Sequence, residues 1–168
     1  MSERSPAPGG LELVQALVNT LDIESGTDSL DTVEGRSRFA LTEDELPRAR
    51  ELRESLRAAL LAHAGHPPHR EVTPLTRLLA QAPLYVAVDE RDGSARLTPA
   101  GEGTLHARVA AAVAEALTAG TWGRLKACEA VTCHWAYYDR SPAGRGRWCS
   151  MAVCGARAKM RRYRAKEA

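Results

Sequence analysis

Residues 128–154 read CEAVTCHWAYYDRSPAGRGRWCSMAVC and contain all four cysteines of the 168-residue chain. The cysteines form two close pairs, in which four residues separate the members of each pair. Two local pairs lose little loop entropy when they bring four sulfurs to one point, and tetrahedral zinc accepts four such soft ligands. The spacing therefore predicts a structural zinc ion bound by Cys128, Cys133, Cys149 and Cys154.

Two other states of these cysteines remain open at this stage, namely a pair of disulfides and buried thiols without a metal. Disulfides form in oxidising compartments, which secreted proteins reach through an apolar signal segment. Glu12, Gln15 and Asn19 interrupt any such segment at the start of this chain. No run of apolar residues is long enough to cross a membrane. We therefore expect a cytoplasmic protein without membrane contact, which favours the zinc interpretation.

The charge of the chain is divided unevenly, although its net value is only +2. Residues 1–120 carry a net charge of −6 and residues 121–168 one of +8. The basic part also holds the four cysteines and six of the eight aromatic residues. This contrast predicts an N-terminal body over 1–120 and a small zinc-dependent module over 121–168, because so few aliphatic residues cannot form a stable core alone. Around the metal we expect a miniature core of Trp135, Tyr137 and Trp148.

The body has the patterns of an α+β domain that is mostly helical. Apolar residues at helical spacing predict amphipathic helices over 10–21, 47–64 and 105–117. Leu84–Val88 and the run that follows Asp92-Gly93 predict one β-hairpin. The intervening stretch 22–40 lacks a period and is predicted as a long loop. His63, His66 and His69 are interpreted as a solvated helix end, since Gly65 and two prolines break the helix there.

The C-terminal segment predicts a basic helix that begins after Ser150, a favourable N-cap residue, and runs to about Lys166. One of its faces is apolar and carries Val153, Ala156, Met160 and Tyr163, while arginines and lysines lie on both sides of it. Cations in this density attract phosphates through counterion release. The nucleic-acid-binding residues predicted in this segment and the loop before it are Arg145, Arg147, Arg157, Lys159, Arg161, Arg162 and Arg164.

Two other partners could use the same charges. The basic helix could dock onto the acidic body or another acidic protein, which would make the chain a zinc-stabilised interaction module. Alternatively, Trp135, Tyr137 or Tyr138 could stack on the bases of RNA beside the loop arginines. Duplex DNA is the partner we favour. Because one zinc finger offers a small contact area, a homodimer is also considered.

The string Trp148-Cys149-Ser150-Met151-Ala152-Val153-Cys154-Gly155-Ala156-Arg157 resembles the CGNR zinc finger family. The family's naming motif appears as Cys154-Gly155-Ala156-Arg157, in which alanine replaces the usual asparagine. The resemblance implies zinc binding by the four cysteines and DNA binding by the finger. It also implies that any contact made by the missing asparagine side chain is absent, while the metal ligands are unaffected.

The body resembles the ABATE domain, a stress-induced transcription regulator domain that accompanies this finger, through Leu17-Val18-Asn19-Thr20-Leu21-Asp22 and the stretch 41–53. The combination implies a bacterial-type transcription regulator, associated with the nucleoid if it binds DNA, whose body could take a small-molecule effector. Asn19, Thr20 and Asp22 could cap the first helix or line a ligand cleft in the body, and we favour the caps. No catalytic set or phosphate loop stands out in the chain, so we do not expect an enzyme.

Overall fold

A computed structural model of the chain describes residues 5–101 and 103–167. The helices are α1 (Leu11–Val18), α2 (Val33–Ser37), α3 (Leu46–His63), α4 (Leu75–Leu79), α5 (Leu105–Thr118) and α6 (Ala156–Glu167). The strands are β1 (Leu84–Val88), β2 (Ala95–Pro99), β3 (Leu125–Ala127) and β4 (Ala136–Tyr138). The predicted class is confirmed: a mostly helical α+β body with a hairpin is followed by a four-cysteine segment that ends in a basic helix.

Helix α3 is the centre of the body and packs against α1, α4 and β3. It begins after a capping turn in which the backbone N–H of Thr42 donates to the carboxylate of Glu45 over 2.8 Å. Leu52, Leu56 and Leu60 are fully buried, as their helical spacing predicts. Charged residues between these leucines are buried as well, so α3 is enclosed on most of its circumference.

The antiparallel strand pair β3–β4 joins the cysteine-rich segment, residues 121–168, to the body. Leu125 pairs with Tyr138 and Ala127 pairs with Ala136. Leu125, Ala127 and Ala136 are fully buried in the same apolar cluster as the leucines of α3. Strand β3 was not predicted from the sequence. The two parts therefore share a core at this point, and the ranges 1–120 and 121–168 stay a prediction.

The prediction of an irregular loop over 22–40 is wrong in part, because this stretch contains a 3-10 turn (Ser29–Asp31) and helix α2. The side chain of Thr32 caps α2 by accepting the N–H of Gly35 over 3.0 Å. Gly35 is required here, since a β-carbon would lie 1.8 Å from a backbone oxygen of the preceding turn. Leu30 and Phe39 fill the core from either side of the helix.

The predicted hairpin forms from β1 and β2, which pair antiparallel from Leu84 with Pro99 to Val88 with Ala95. It lies against α5 at the periphery of the body, and most of its side chains are exposed. Within the described residues, no helix combines the length and the apolar character that crossing a bilayer requires.

Candidate metal centre and basic helix

The sulfur atoms of Cys128, Cys133, Cys149 and Cys154 all lie within 4.8 Å of one another. The Sγ atoms of Cys133 and Cys149 are 3.4 Å apart and those of Cys149 and Cys154 are 3.6 Å apart. A disulfide would require about 2.05 Å, whereas zinc bonded to sulfur at about 2.3 Å gives a tetrahedron with edges of about 3.8 Å. The cysteines are free, and their separations fit a tetrahedral metal ion.

The environment of the sulfurs favours deprotonation of one of them. Side-chain hydrogen bonds from Cys133 and Cys149 lower the pKa of Cys128, and backbone amides contribute in the same direction. The same thiol contact with Cys128 is the main reason why the pKa of Cys133 is raised. A divalent cation at this point would replace the remaining thiol protons, because metal ligation requires thiolates.

The first pair of cysteines is set by a tight turn. The backbone N–H groups of Cys133 and His134 both donate to the carbonyl of Ala130, over 2.8 Å and 3.1 Å. His134 adopts a left-handed backbone conformation with φ of 45°. Its buried ring places Nδ1 3.0 Å from the carbonyl oxygen of Cys128, so His134 closes the turn.

The second pair is set by the start of the C-terminal helix. Ser150 caps it, as predicted, by accepting the N–H of Val153 over 3.3 Å. A π-helical turn, Met151–Gly155, precedes α6 and carries Cys154, while Cys149 lies just before it. Amide groups at a helix start stabilise thiolates. The miniature core is also confirmed, since Tyr137, Trp135 and Trp148 pack around the cysteines.

A buried ion pair that sequence reasoning missed holds the loop between the cysteine pairs. The carboxylate of Asp139 accepts from Nζ of Lys126 at 3.0 Å and from the N–H of Gly146 at 2.7 Å. It also accepts both the N–H and the hydroxyl of Ser141. The loop that presents Arg145 is therefore fixed at both ends by one side chain.

Replacing Asp139 with asparagine should destabilise this loop by about 2–3 kcal/mol. Ser141 donates to Oδ1 while Lys126 and Gly146 donate to Oδ2, and an amide is uncharged and has only one accepting oxygen. The measurement is the free energy of unfolding in urea, together with hydrogen exchange at the Gly146 amide. The matched control is Asp92→Asn in the exposed hairpin turn, where the carboxylate accepts the N–H of Ser94 over 2.8 Å. We expect less than about 0.5 kcal/mol there. Equal losses of unfolding free energy for the two substitutions would contradict the conclusion that Asp139 holds this loop.

The same pair predicts acid sensitivity. Burial alone would raise the pKa of Asp139, but hydrogen bonds from Ser141, Lys126 and backbone amides lower it below its ordinary value. A lowered pKa in the folded state contributes stability above the unfolded pKa of about 3.9, and this stability is lost as the pH falls below that value. Asp139→Asn should therefore flatten the decline of unfolding free energy in acid.

The predicted cationic residues fall into two groups. Arg147 pairs with Glu129 and lies over the Trp148 ring, and Arg157 of α6 donates to both oxygens of Glu24 at 2.9 Å. The other five are exposed and form no ion pair among the described residues: Arg145, Lys159, Arg161, Arg162 and Arg164. Among the described residues, the ion pair of Arg157 therefore joins the first turn of the basic helix to the acidic body.

The aromatic residues considered for stacking on RNA bases, Trp135, Tyr137 and Tyr138, are all buried or partly buried. Tyr137 is buried and its hydroxyl donates to the carbonyl of Gly146 over 2.7 Å. Trp135 and Trp148 are partly buried against the cysteine cluster. Their main role in the structure is packing around the candidate metal centre.

Two residues of the body, Asn19 and Arg57, form hydrogen bonds with the cysteine-rich segment. The side chain of Asn19 accepts the N–H of Ala136 at 2.7 Å and donates to its carbonyl at 3.0 Å, so it pairs with the edge of β4. Asn19 was predicted as a cap of the first helix, and it also occupies the C-cap position of α1, where its backbone N–H donates to the carbonyl of Gln15 over 3.0 Å. Arg57, fully buried on α3, donates to the carbonyl of His134 over 2.9 Å.

The interpretation of the three histidines as a solvated helix end is wrong. Nδ1 of His63 lies 2.7 Å from the carbonyl oxygen of Leu125, and its ring packs edge-on against Trp122. His69 is 2.9 Å from the carboxylate of Glu54. The contact of His63 therefore places the end of α3 against β3, and that of His69 holds the following loop against α3.

A groove of about 670 Å³ lies where α1 and α2 meet the cysteine-rich segment. Glu12, Arg38 and Phe39 line it from the body, and Trp135 lines it from the other side. No ligand for this groove is identified, and a small-molecule effector of the body stays a prediction.

Two known protein families match this chain, one in each of its two parts. The model of the ABATE family, described as "Putative stress-induced transcription regulator", matches residues 11–120. The model of the CGNR zinc finger matches residues 124–167. A search among curated proteins finds no match. Both families to which the sequence was found similar are confirmed, with the ABATE domain before the CGNR zinc finger in the chain.

Proposed function

The chain belongs to the ABATE family and carries a CGNR zinc finger, and from this premise we propose that it is a zinc-dependent, DNA-binding transcription regulator. Neither family is an enzyme family by its description. The observation that carries the proposal is the row of exposed cations on helix α6, which begins at the four-cysteine centre. Five of them form no ion pair with the described acids: Lys159, Arg161, Arg162, Arg164 and Lys166.

Zinc is the metal we propose for the four cysteines. A tetrahedral set of four thiolates is typical of structural zinc sites. Such an ion supplies no chemistry beyond cross-linking: it would fix the turn at Cys133 to the helix start at Cys154. The finger's aromatic residues then pack against a rigid centre, and α6 is held at a constant angle to the body.

The faces of α6 suit the major groove of duplex DNA. Ala158 is buried toward the finger, whereas Val153, Met160 and Tyr163 are exposed on the opposite face. Arg157, Arg161 and Arg164 line one side of this apolar face. At helical spacing, Lys159, Arg162 and Lys166 lie on the other side. A helix in the groove would thus direct cations at both phosphate backbones and apolar groups at the base edges.

The competing interpretation, in which α6 docks onto the acidic body, receives little support. Arg157 is its one ion pair with a body acid among the residues described, and this pair is about half exposed on both sides. Exposed pairs of this kind contribute little to stability. The rest of the helix stays accessible to a phosphate backbone.

The proposal is tested by titrating zinc-loaded protein with duplex DNA at several salt concentrations. Changing Arg161, Arg162 and Arg164 together to alanine removes up to three phosphate contacts. We expect affinity to fall roughly 100- to 1,000-fold at about 0.1 M salt, and the slope of log K against log salt to become shallower by about 2 to 3.

The matched control changes three exposed body arginines, Arg38, Arg77 and Arg91, to alanine, which alters the net charge equally. We expect affinity for DNA to change little. Equal losses in the two triple variants would show nonspecific attraction by net charge. Absence of binding by the unmodified protein at low salt would refute DNA binding while leaving the zinc proposal intact.

A further inference from the structure

The β1–β2 hairpin exposes an apolar face. Side chains alternate along a strand, so Leu84, Val86 and Val88 share one face. The strand register places three further apolar residues on this face, namely Pro99, Leu97 and Ala95. Val86 is 64% exposed, and Val88 and Leu97 are exposed as well, whereas Leu84 at the end of this face packs beside Ala107 and Ala110 of α5. Monomeric soluble proteins seldom leave such a contiguous patch open unless it is an interaction site.

The backbone at the outer edge of β1 is also open. Hydrogen bonds from Ala100 to Pro83 and from Asp89 to Ser94 fix which residues bond across the hairpin. Every second residue of an antiparallel pair forms both backbone hydrogen bonds with its partner, so the N–H and C=O groups of Tyr85 and Ala87 point toward β2. The N–H and C=O groups of Leu84, Val86 and Val88 then point away from β2. In the part of the chain that the structure describes, β1 and β2 form a sheet of two strands.

The two edges of the hairpin differ. Strand β2 carries Pro99, which has no N–H to donate and so blunts that edge. Strand β2 also packs beside α5. Strand β1 contains no proline, and its Tyr85, Val86 and Val88 side chains are exposed, although Leu84 at its start packs beside α5. A two-stranded sheet is marginally stable in water, so an additional strand along β1 would stabilise it.

We propose that a second copy of the chain binds this edge through its own β1, which makes the protein a homodimer. The two β1 strands would run antiparallel about a two-fold axis at Val86. Val86 would pair with its counterpart, and Leu84 with the Val88 of the other copy. All three outward-facing residues of each strand are then hydrogen-bonded, and the two apolar faces join in one four-stranded sheet in the order β2-β1-β1-β2.

A second copy suits this edge better than a charged partner. Residues 80–88 contain no charged side chain, so two identical edges meet without repulsion. Neither a phosphate backbone nor an acidic peptide would find a cation along β1. The outward groups are symmetric about Val86, and that symmetry is what an isologous interface requires. The proposal does not depend on DNA binding, although a dimer would present two basic helices.

The first test measures the mass of the zinc-loaded protein by sedimentation equilibrium over a wide concentration range, with hydrogen exchange in parallel. We expect a dimer, in which the amides of Val86 and Val88 become protected as the concentration rises. The amides of Tyr85 and Ala87 should be protected at every concentration. A monomer at the highest concentration, or a dimer without new protection at Val86, would overturn the proposal.

The second test uses Val86→Lys, which places a charge at the two-fold axis, and Val33→Lys as its control. Val86 is 64% and Val33 is 63% exposed, so the two changes are matched in type and accessibility. We expect at least a tenfold weaker dimer for the first variant and none for the second, with circular dichroism confirming the folds. Equal association of the two variants, or hairpin-dependent binding of the monomer to lipid vesicles instead, would contradict self-pairing.

Discussion

Removal of the bound metal should unfold the cysteine-rich segment while most of the body remains folded. Structural zinc contributes about 10–16 kcal/mol in finger peptides, far more than the few buried groups of this segment can replace. Without it, four cysteines lose their common point and α6 loses its anchor at Cys154. A helix of 12 residues rich in like charges does not persist alone in water.

The experiment measures zinc by elemental analysis and then treats the protein with a chelator. We expect one zinc ion per chain and, after chelation, rapid hydrogen exchange from Cys128 to the end of α6. Exchange in α3 and α5 should stay slow, because their leucines and valines pack within the body. Cys149→Ser should reproduce the chelated state. A metal-free protein with undiminished protection in the segment would refute the role assigned to the four cysteines.

The four-cysteine centre could be predicted because the sequence features that form it lie close together in the chain. Four cysteines in two pairs, a serine after the first cysteine of the second pair and cations at helical spacing are all visible within residues 128–166. The helices of the body were predicted for the same reason, since apolar periodicity is a short-range signal. The irregular stretch 22–40 gave no such signal, because α2 has only five residues and includes Gly35.

The attachment of the finger to the body could not be predicted, because it depends on contacts between distant residues. Strand β3 has only three residues, and the charged Lys126 at its centre does not suggest a buried strand. Lys126 is buried because it forms an ion pair with Asp139, which is distant in the sequence. Asn19 and Arg57 have the appearance of surface residues of helices in the sequence. Each contacts the cysteine-rich segment only after the chain has folded, at separations of 117 and 77 residues.

Arg57 connects the two parts of the protein at a fully buried position. Its guanidinium donates to the carbonyls of Val18 at 2.8 Å and His134 at 2.9 Å, and to the carboxylate of Glu54 at 3.2 Å. Burial lowers the pKa of Arg57, and the charge of Glu54 opposes this shift. One side chain therefore joins the end of α1, helix α3 and the turn that follows Cys133.

Changing Arg57 to methionine should lower the free energy of unfolding by about 3–5 kcal/mol, because the carbonyls of Val18 and His134 and the carboxylate of Glu54 lose a buried partner. Because His134 adjoins Cys133, zinc affinity should also fall, by about 10- to 100-fold. The control is Arg50→Met on the same helix, where the side chain is 38% exposed and pairs with Asp28 and Asp31. Asp31 is exposed and Asp28 keeps its ion pair with Arg53 at 2.7 Å, so we expect a loss of less than about 1 kcal/mol for Arg50→Met.

Urea unfolding and competition for zinc with a chromogenic chelator measure the two effects separately. Arg57→Lys keeps the charge but loses the forked geometry, so it should fall between the methionine variant and the unmodified protein. If Arg57 served the body alone, its loss would lower stability and leave zinc affinity unchanged. If both Arg57→Met and Arg50→Met cost less than about 1 kcal/mol, the buried network would not be what couples the finger to the body. The joint loss of stability and zinc affinity is therefore the result that assigns Arg57 this coupling role.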